Sequence, residues 1–370
     1  MRHPVMPVIS AFIVLSSVLI ALCGCQKRRL YYPWELSARV HLAVDWSQCM
    51  ERPSGMTLIL YGDNGRTYTT VTSEVDGVDL DVMSGHYTAL VFCYSVEEWA
   101  SLRLSGLDTR GGALASLPLG PSSWRNTYGV ADIVSSVPPS VISAVGDAGG
   151  FSIDDEQVDA WQDHLRRSGK QRWETIEGGT LDVLTLVPRD LVYGLEVRVR
   201  AERANNIKAV RAGIDGLAGA VTLADGRTAG DSVVQTIDDS WSMKGDATLA
   251  TLTGRTRTLG LPGDATASLP DALRSPSTNT LDLHVLLRDL VTVIDTTVAV
   301  GHRWTVEPSE NRAGEPATRL TMVLRIGFGD MGEDDRPMVI PETKPMETSS
   351  GFDAVVGEWE EGESIELPLW

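Results

Sequence analysis

The side chain with the clearest chemical destiny in these 370 residues is Cys25. An uncharged apolar run from Val5 to Leu22 follows Arg2 and closes on Leu22-Cys23-Gly24-Cys25. This is the arrangement of a bacterial lipoprotein signal: a charged start on the cytosolic side, an apolar core, and a small Gly24 that lets a peptidase reach the bond before Cys25. Cys25 is then the lipidation site and the membrane is a partner through its lipid. As an ordinary membrane anchor the run falls short of the roughly 20 apolar residues a span needs. One acyl chain binds a membrane only marginally, so the several chains on such a cysteine supply the tether. Cys23 leaves with the signal, which leaves Cys49 and Cys93 in an exported chain. An oxidising compartment permits a disulfide between Cys49 and Cys93, but a domain large enough to stand on its core does not demand one.

No other constellation has the spacing that catalysis or a cofactor requires, so the expectation is a non-enzyme without cofactor or metal. The histidines, at positions 3, 41, 86, 164, 284 and 302, form no H-x-x-x-H, H-E-x-x-H or Cys/His cluster. His41 and His284 sit within strand patterns and read as solvent-facing or satisfied core residues. There is no G-x-S-x-G elbow and no P-loop. Glu333-Asp334-Asp335 lacks the full calcium loop and reads as a solvated charge run. Ten tryptophans suggest sugar stacking, yet they form no strip at period two and read mostly as core. The formal charge is -18, and cleavage before Cys25 removes Arg2 and no acid, leaving -19. So acidic a body repels phosphate backbones, which argues against a nucleic-acid partner. Lys27-Arg28-Arg29 beside the lipid reads as a head-group contact or a solvated linker.

The elements that would carry these residues are mostly strands. Arg39–Trp46 alternates with period two, and Met56–Tyr61 and His86–Tyr94 are apolar runs of strand length. Asp63-Asn64-Gly65 is a hairpin turn signal, and Ser84-Gly85 reads as a second. Between about residues 110 and 178, Gly111-Gly112, Pro118, Pro121, Pro138-Pro139 and Gly149-Gly150 break any long element. One helix is legible there, capped by Asp154 or Asp155, with Val158, Trp161 and Leu165 inward and Arg166-Arg167 at its end. Strand texture returns at Leu181–Val187, bends at Pro188-Arg189-Asp190, and resumes at Leu191–Val199. Further strands read at Val221–Leu223, Thr248–Thr253, Thr256–Leu259, Leu281–Leu287, Val291–Val300 and Leu320–Ile326, with Gly216 and Gly254 as punctuation. Glu342-Thr343-Lys344-Pro345 reads as a linker before a last strand, Glu363–Leu367. Without regularly spaced helices the chain is not a parallel α/β fold; 42% hydrophobic residues suffice for two β-sandwiches in series.

Leu30-Tyr31-Tyr32, Val40-His41-Leu42-Ala43-Val44-Asp45-Trp46-Ser47 and Gly85-His86-Tyr87-Thr88-Ala89-Leu90-Val91-Phe92-Cys93-Tyr94 resemble the fimbrillin-like lipoproteins of Bacteroidetes. So do Pro188-Arg189-Asp190-Leu191-Val192-Tyr193, Gly216-Leu217-Ala218-Gly219 and the closing Trp359-Glu360-Glu361 to Leu369. The nearest branch is one catalogued as a domain of unknown function, related to minor fimbrial subunits and anchors. The resemblance implies an all-β fold of two transthyretin-like antiparallel β-sandwich domains in series with one or two short helices. It gives a signal at 1–24, a lipidated tether at 25–36, an N-terminal sandwich with its Gly/Pro-rich and helical insert at 37–178, and a C-terminal sandwich at 179–370. It also implies an anchor, accessory or tip role in adhesive fimbriae through strand-mediated assembly. The partners would be other fimbrial subunits or envelope proteins, and host or bacterial surface ligands. The candidate donated strands are Arg39–Trp46 and Glu363–Leu367, with Pro368 limiting the second. Arg103, Arg110 and Arg125 lie where a processing protease would need a loop. The expected place is the outer membrane, on the cell surface, although Lys27-Arg28-Arg29 replaces the acids usual in surface-bound relatives and leaves the periplasmic face open. A surface glycan-binding lipoprotein of a nutrient-uptake system is the alternative.

Overall fold

The computed structural model describes residues 36–99, 101–126, 131–171, 180–238, 240–263, 275–310, 316–330, 332, 335–343 and 365–366. The signal, Cys25, Lys27-Arg28-Arg29, Glu333-Asp334, Lys344-Pro345 and Trp34, Trp173, Trp359 and Trp370 lie outside the described residues. The strands of the first half are β1 (Ser37–Val44), β2 (Met56–Gly62), β3 (Thr67–Thr72), β4 (Gly77–Met83), β5 (Gly85–Cys93), β6 (Arg103–Ser105), β7 (Leu114–Ser116), β8 (Leu119–Arg125), β9 (Ala131–Ser135) and β10 (Ser143–Ile153). Helix α1 (Asp155–Ser168) follows, then β11 (Leu181–Leu186), β12 (Arg189–Asp190), β13 (Tyr193–Glu202), β14 (Ile207–Thr222), β15 (Thr228–Ile237), β16 (Trp241–Gly245) and β17 (Leu249–Thr258). The chain continues through β18 (Thr280–Leu287), β19 (Val293–Ala299), β20 (Trp304–Glu310), β21 (Pro316–Ile326), β22 (Met338–Val339) and β23 (Ile365–Glu366). The protein is all-β with one α-helix among the described residues.

The chain divides into two compact units. The smaller comprises Met1–Val40, Leu80–Ser84 and Ile153–Leu181. Its helix begins as its residues dictate. The Asp154 carboxylate accepts the Gln157 backbone N–H at 2.8 Å while the Gln157 side chain accepts the Asp154 N–H at 2.9 Å, a reciprocal cap. Asp155 and Glu156 occupy the first turn and Arg166 and Arg167 the last, complementing the helix dipole, and Gly169 ends it in a left-handed conformation. Val158 and Trp161 are buried as their spacing predicts. Leu165 is only half-buried, and Gln162 takes the inward place by donating its side-chain amide to the Ser37 carbonyl at 2.7 Å. Arg39 pairs with Asp81 at 3.0 Å and lies 5.8 Å over the Trp161 ring.

The larger unit holds the rest of the chain. Strand β1 lies between β11 and β4, and in the first part of the larger unit a sheet runs β12-β10-β5-β2-β3. Asp63-Asn64-Gly65 makes the expected hairpin: β2 and β3 pair from Met56↔Thr72 to Tyr61↔Thr67. Ser84-Gly85 does not. β4 joins the sheet of β1 and β5 that of β2, so this dipeptide passes the chain between sheets instead of folding it back. In the second part a seven-stranded sheet, β20-β21-β13-β17-β16-β23 with β22 beside β13, and an eight-stranded sheet, β19-β18-β14-β15-β9-β8 with β6 and β7 attached through β14, share one core. Leu195, Val197 and Val199 of β13 and Met322 and Leu324 of β21 meet Ala212 and Ile214 of β14 and Leu283 and Val285 of β18 in this cluster. In these two sheets pairing is antiparallel except where β13 runs beside β21 and β22 and where β9 runs beside β15.

Several local readings change. The Gly/Pro-rich stretch after residue 110 does not break every long element: β10 runs 11 residues through Gly149-Gly150, while β7 pairs with β14 and β9 with β15, so pairings run across 178/179. Pro188-Arg189-Asp190 is a bend that also pairs, since Arg189 and Asp190 bridge Ala144 and Ser143. Gly254 does not separate two strands; β17 runs through it, and a Cβ there would come within 2.7 Å of the Trp241 indole. Gly216 lies inside β14 at φ +78°, where the register with β15 shifts, a bulge that favours glycine. Arg103 and Arg125 belong to strands and only Arg110 to a turn.

Candidate functional site: open sheet edges and a cysteine pair

An edge strand presents unpaired N–H and C=O groups to any incoming chain, and proteins blunt such edges with proline, charge or shortness. The candidate first strand is not one of these edges: β1 is paired on both sides. The last strand, β23, pairs with β16 through Ser242↔Glu366 and Met243↔Ile365. Among the described edges, β12 and β23 are two residues long, β8 carries Pro121 and β20 carries Pro308, while β4 carries Asp79 and Asp81 and β11 carries Asp182. Two further edges, β3 and β19, lack proline, and the one acid on β19 is paired just as those of β4 are. β3 reads Thr-Tyr-Thr-Thr-Val-Thr, with Val71 61% exposed.

β19 reads Val-Ile-Asp-Thr-Thr-Val-Ala and is the longer of the two open edges. Its alternation puts Ile294 and Val298 against the core and Val293, 43% exposed, outward. Its one acid, Asp295, is tied at 2.5 Å to His284 directly across the strand pair. The turn that leads into it is apolar and fixed: Leu290, at φ +57°, and Val291, 73% exposed, are held by the Asp289 carboxylate. That carboxylate accepts the Thr292 hydroxyl at 2.6 Å and the Val291 and Thr292 N–H groups at 3.1 and 2.9 Å. The Thr292 hydroxyl, helped by the Thr292 amide, holds Asp289 below the usual aspartate range.

Cys49 and Cys93 lie around Ser143 and Asp190. The Ser143 backbone N–H donates to the Cys93 sulfur at 3.3 Å. The Cys49 thiol donates to the Pro188 carbonyl at 3.3 Å. Asp190 organises the cluster by accepting the Ser143 hydroxyl at 2.6 Å and the Met50 N–H at 2.9 Å. Both thiols are free. Burial pushes Cys49 up to about 11 against the Ser143 hydrogen bond, with Asp190 and Asp45 adding to the rise. Burial pushes the enclosed Cys93 up to about 12, and the neighbouring Cys49 adds to it.

Nothing local marked Ser143 or Asp190 as partners of the cysteines, because they lie 50 and 97 positions beyond Cys93 and meet it only through the sheet. The same holds for a charged ladder on β13. Arg198 donates to both Glu307 oxygens at 3.0 and 2.9 Å and to Glu196, whose other oxygen accepts from Arg255 at 2.9 Å. Burial alone would raise Glu196, but the hydrogen bonds from Arg198 and Arg255 win and hold it low. These residues line a groove of about 730 Å³ that Met50 also borders. His41 bonds Asp79 at 2.8 Å and His284 bonds the Arg125 carbonyl besides Asp295, so both are satisfied as read.

Asp335 is not part of a solvated run. It is buried, paired with Arg303 at 2.5 Å, and accepts the Gly327 and Asp330 N–H groups at 2.8 and 3.1 Å. Three donors thus occupy this carboxylate, which serves as a structural brace of the turn. No cluster of three or more metal-ligating side chains occurs among the described residues. Trp46, Trp99, Trp124, Trp161, Trp241 and Trp304 are all buried, so a sugar platform would need the four tryptophans outside the described residues.

The paired sheets around a shared core define an all-β protein of the sandwich class. The chain belongs to the family described as Domain of unknown function (DUF5119), whose model matches residues 24–238. That is the kind of branch its sequence resemblance implied. Among solved structures it is similar to a "putative adhesin" from Bacteroides ovatus, at 18% identity over 87% of this chain and 99% of that one, with a TM-score of 0.50. It is also similar to a "putative adhesin" from Bacteroides thetaiotaomicron, at 12% identity over 67% and 77% of the two chains with a TM-score of 0.41. The fimbrial anchor protein Mfa2 from Porphyromonas gingivalis aligns at 9% identity over 78% and 95%, with a TM-score of 0.37. The first of these shares the fold. No curated protein matches the chain.

Proposed function

We propose that this protein is a non-enzymatic, lipid-anchored envelope subunit that assembles with other fimbrial or envelope proteins by strand addition, as anchor, accessory or tip of an adhesive fibre. The observation that carries the reading is the β19 edge: seven residues without proline, lysine or bulge, entered through an exposed apolar turn. A strand laid along such an edge gains main-chain hydrogen bonds for affinity and side-chain positions for specificity. The lipoprotein signal supports the tether, with Cys25 the lipidated residue and residues 25–36 the spacer. The adhesin wording attached to the similar Bacteroides ovatus chain agrees with the role. In this proposal the two sandwiches keep the boundary at 178/179 in chain order, with β6 to β9 lent to the second. The outer membrane is the proposed location, with the body facing the cell surface.

Protease accessibility on intact cells, run beside fibre co-purification and a Cys25→Ala control, tests it. Accessible protein that co-purifies with fibres, lost from the envelope in the control, is the expected result. Full protection without fibre association would sink it.

A further inference from the structure

We propose that Cys49 and Cys93 are partners in one disulfide, formed after export, that ties the 46–55 loop to strand β5. The inference rests on the exported location above, and its geometry stands apart from it. Once Cys23 is removed and Cys25 carries lipid, these are the two remaining thiols of the chain. They come from opposite ends of a 44-residue separation and meet around Asp190. Ser143 donates its N–H to the Cys93 sulfur at 3.3 Å and its hydroxyl to Asp190 at 2.6 Å, and the other Asp190 oxygen accepts the N–H of Met50, next to Cys49. The loop bearing Cys49 is already pinned here, by the Met50 N–H on Asp190 and by the Cys49 N–H on the Trp46 carbonyl at 3.0 Å.

Accessibility sets the order of steps. Cys49 is half-buried and Cys93 fully enclosed, so a dissolved oxidant meets Cys49 first. With glutathione disulfide as oxidant, the Cys49 thiolate attacks one sulfur and expels a glutathione thiolate, leaving a mixed disulfide. The Cys93 thiolate then attacks the Cys49 sulfur and expels the second glutathione. Two protein thiols are oxidised, one glutathione disulfide is reduced to two glutathione molecules, and the two thiol protons pass to solvent or the departing thiolates. Because burial disfavours both thiolates, the reaction is slow at neutral pH, and its rate should rise up to about tenfold per pH unit while thiolate supply limits it. The product fixes the loop whose Met50 borders the groove of Glu196 and Arg198.

The test uses the purified mature lipoprotein, incubated with glutathione disulfide at pH 7.5 and 8.5 (two values about one unit apart, chosen to read the thiolate dependence), alkylated in denaturant and mapped by mass spectrometry. The expected result is one peptide pair linking Cys49 to Cys93, formed faster at the higher pH. The linked protein should melt about 5–10 °C above the reduced one, because the bond closes a long loop of the unfolded chain. Cys49→Ser should lose both the link and that difference in melting, and Cys93→Ala serves if the serine variant fails to fold. Glutathione retained on Cys49 with Cys93 still alkylatable, or two alkylatable thiols after prolonged oxidation, would overturn the pairing. Location is read separately by the accessibility experiment, so a failure of the export reading is distinguishable from a failure of the pair.

Discussion

The two sheets of the larger sandwich end differently. On one side β20 is the outermost strand: Pro308 interrupts its donors, Glu307 is engaged by Arg198, and Arg303 just before it is locked to Asp335. On the other, β19 has no proline, its acid is tied down by His284, and its leading turn exposes Leu290 and Val291. Strand length is the same, seven residues in each. The difference lies in protection, which teaches that one of these two sheet edges is closed to further pairing and the other is left open.

The sharpest way to break the comparison is at the closed end. Asp335→Ala removes the partner of a buried guanidinium and frees two backbone N–H groups, and should cost about 3–5 kcal/mol in denaturant unfolding. A loss below about 1 kcal/mol would show that the Asp335 turn does not brace this edge. Next in size, Gln235→Met should stabilise the protein by about 1–2 kcal/mol. Gln235 is fully buried on β15, and neither polar atom of its side chain meets a partner. Destabilisation by the methionine would mean the amide is satisfied and the sandwich less tense than it looks.

A pH series sharpens the role of the charged ladder. Glu196 is held low in the folded state, so it contributes stability that is fully present above its unfolded value near 4.3 and is lost as pH falls through the folded value. Glu196→Gln should flatten the acid limb of the stability profile; an unchanged limb would assign it to other carboxylates. Glu307→Gln should change stability by under about 1 kcal/mol, since that carboxylate is nearly half exposed and screened.

Legibility in the sequence followed locality. Helix α1 was readable because Asp154, Gln157, Trp161 and the terminal arginines act within one segment, and the β2–β3 hairpin because Asp63-Asn64-Gly65 is itself the turn. Gly254 misleads because a glycine that breaks a strand and one that admits the Trp241 ring look alike. Asp335 reads as solvated because its partner Arg303 lies 32 positions away. The edges carried a sequence signal in Pro121 and Pro308, but which strands end a sheet depends on pairing order. Thus β1, a candidate for donation by position, proves to be a central strand. Cys49 and Cys93 were visible as residues, whereas Ser143 and Asp190, which bring them together, were not.

The most direct measurement is fibre incorporation of Val293→Lys, which places a charge on the open β19 edge at an exposed position, compared with Val71→Lys on β3 and with the unaltered chain. Strand addition at β19 predicts at least a tenfold loss of incorporation for Val293→Lys, about 1.4 kcal/mol of association free energy, with melting unchanged within a few degrees and Val71→Lys near normal. Undiminished incorporation of a folded Val293→Lys protein would contradict assembly through this edge.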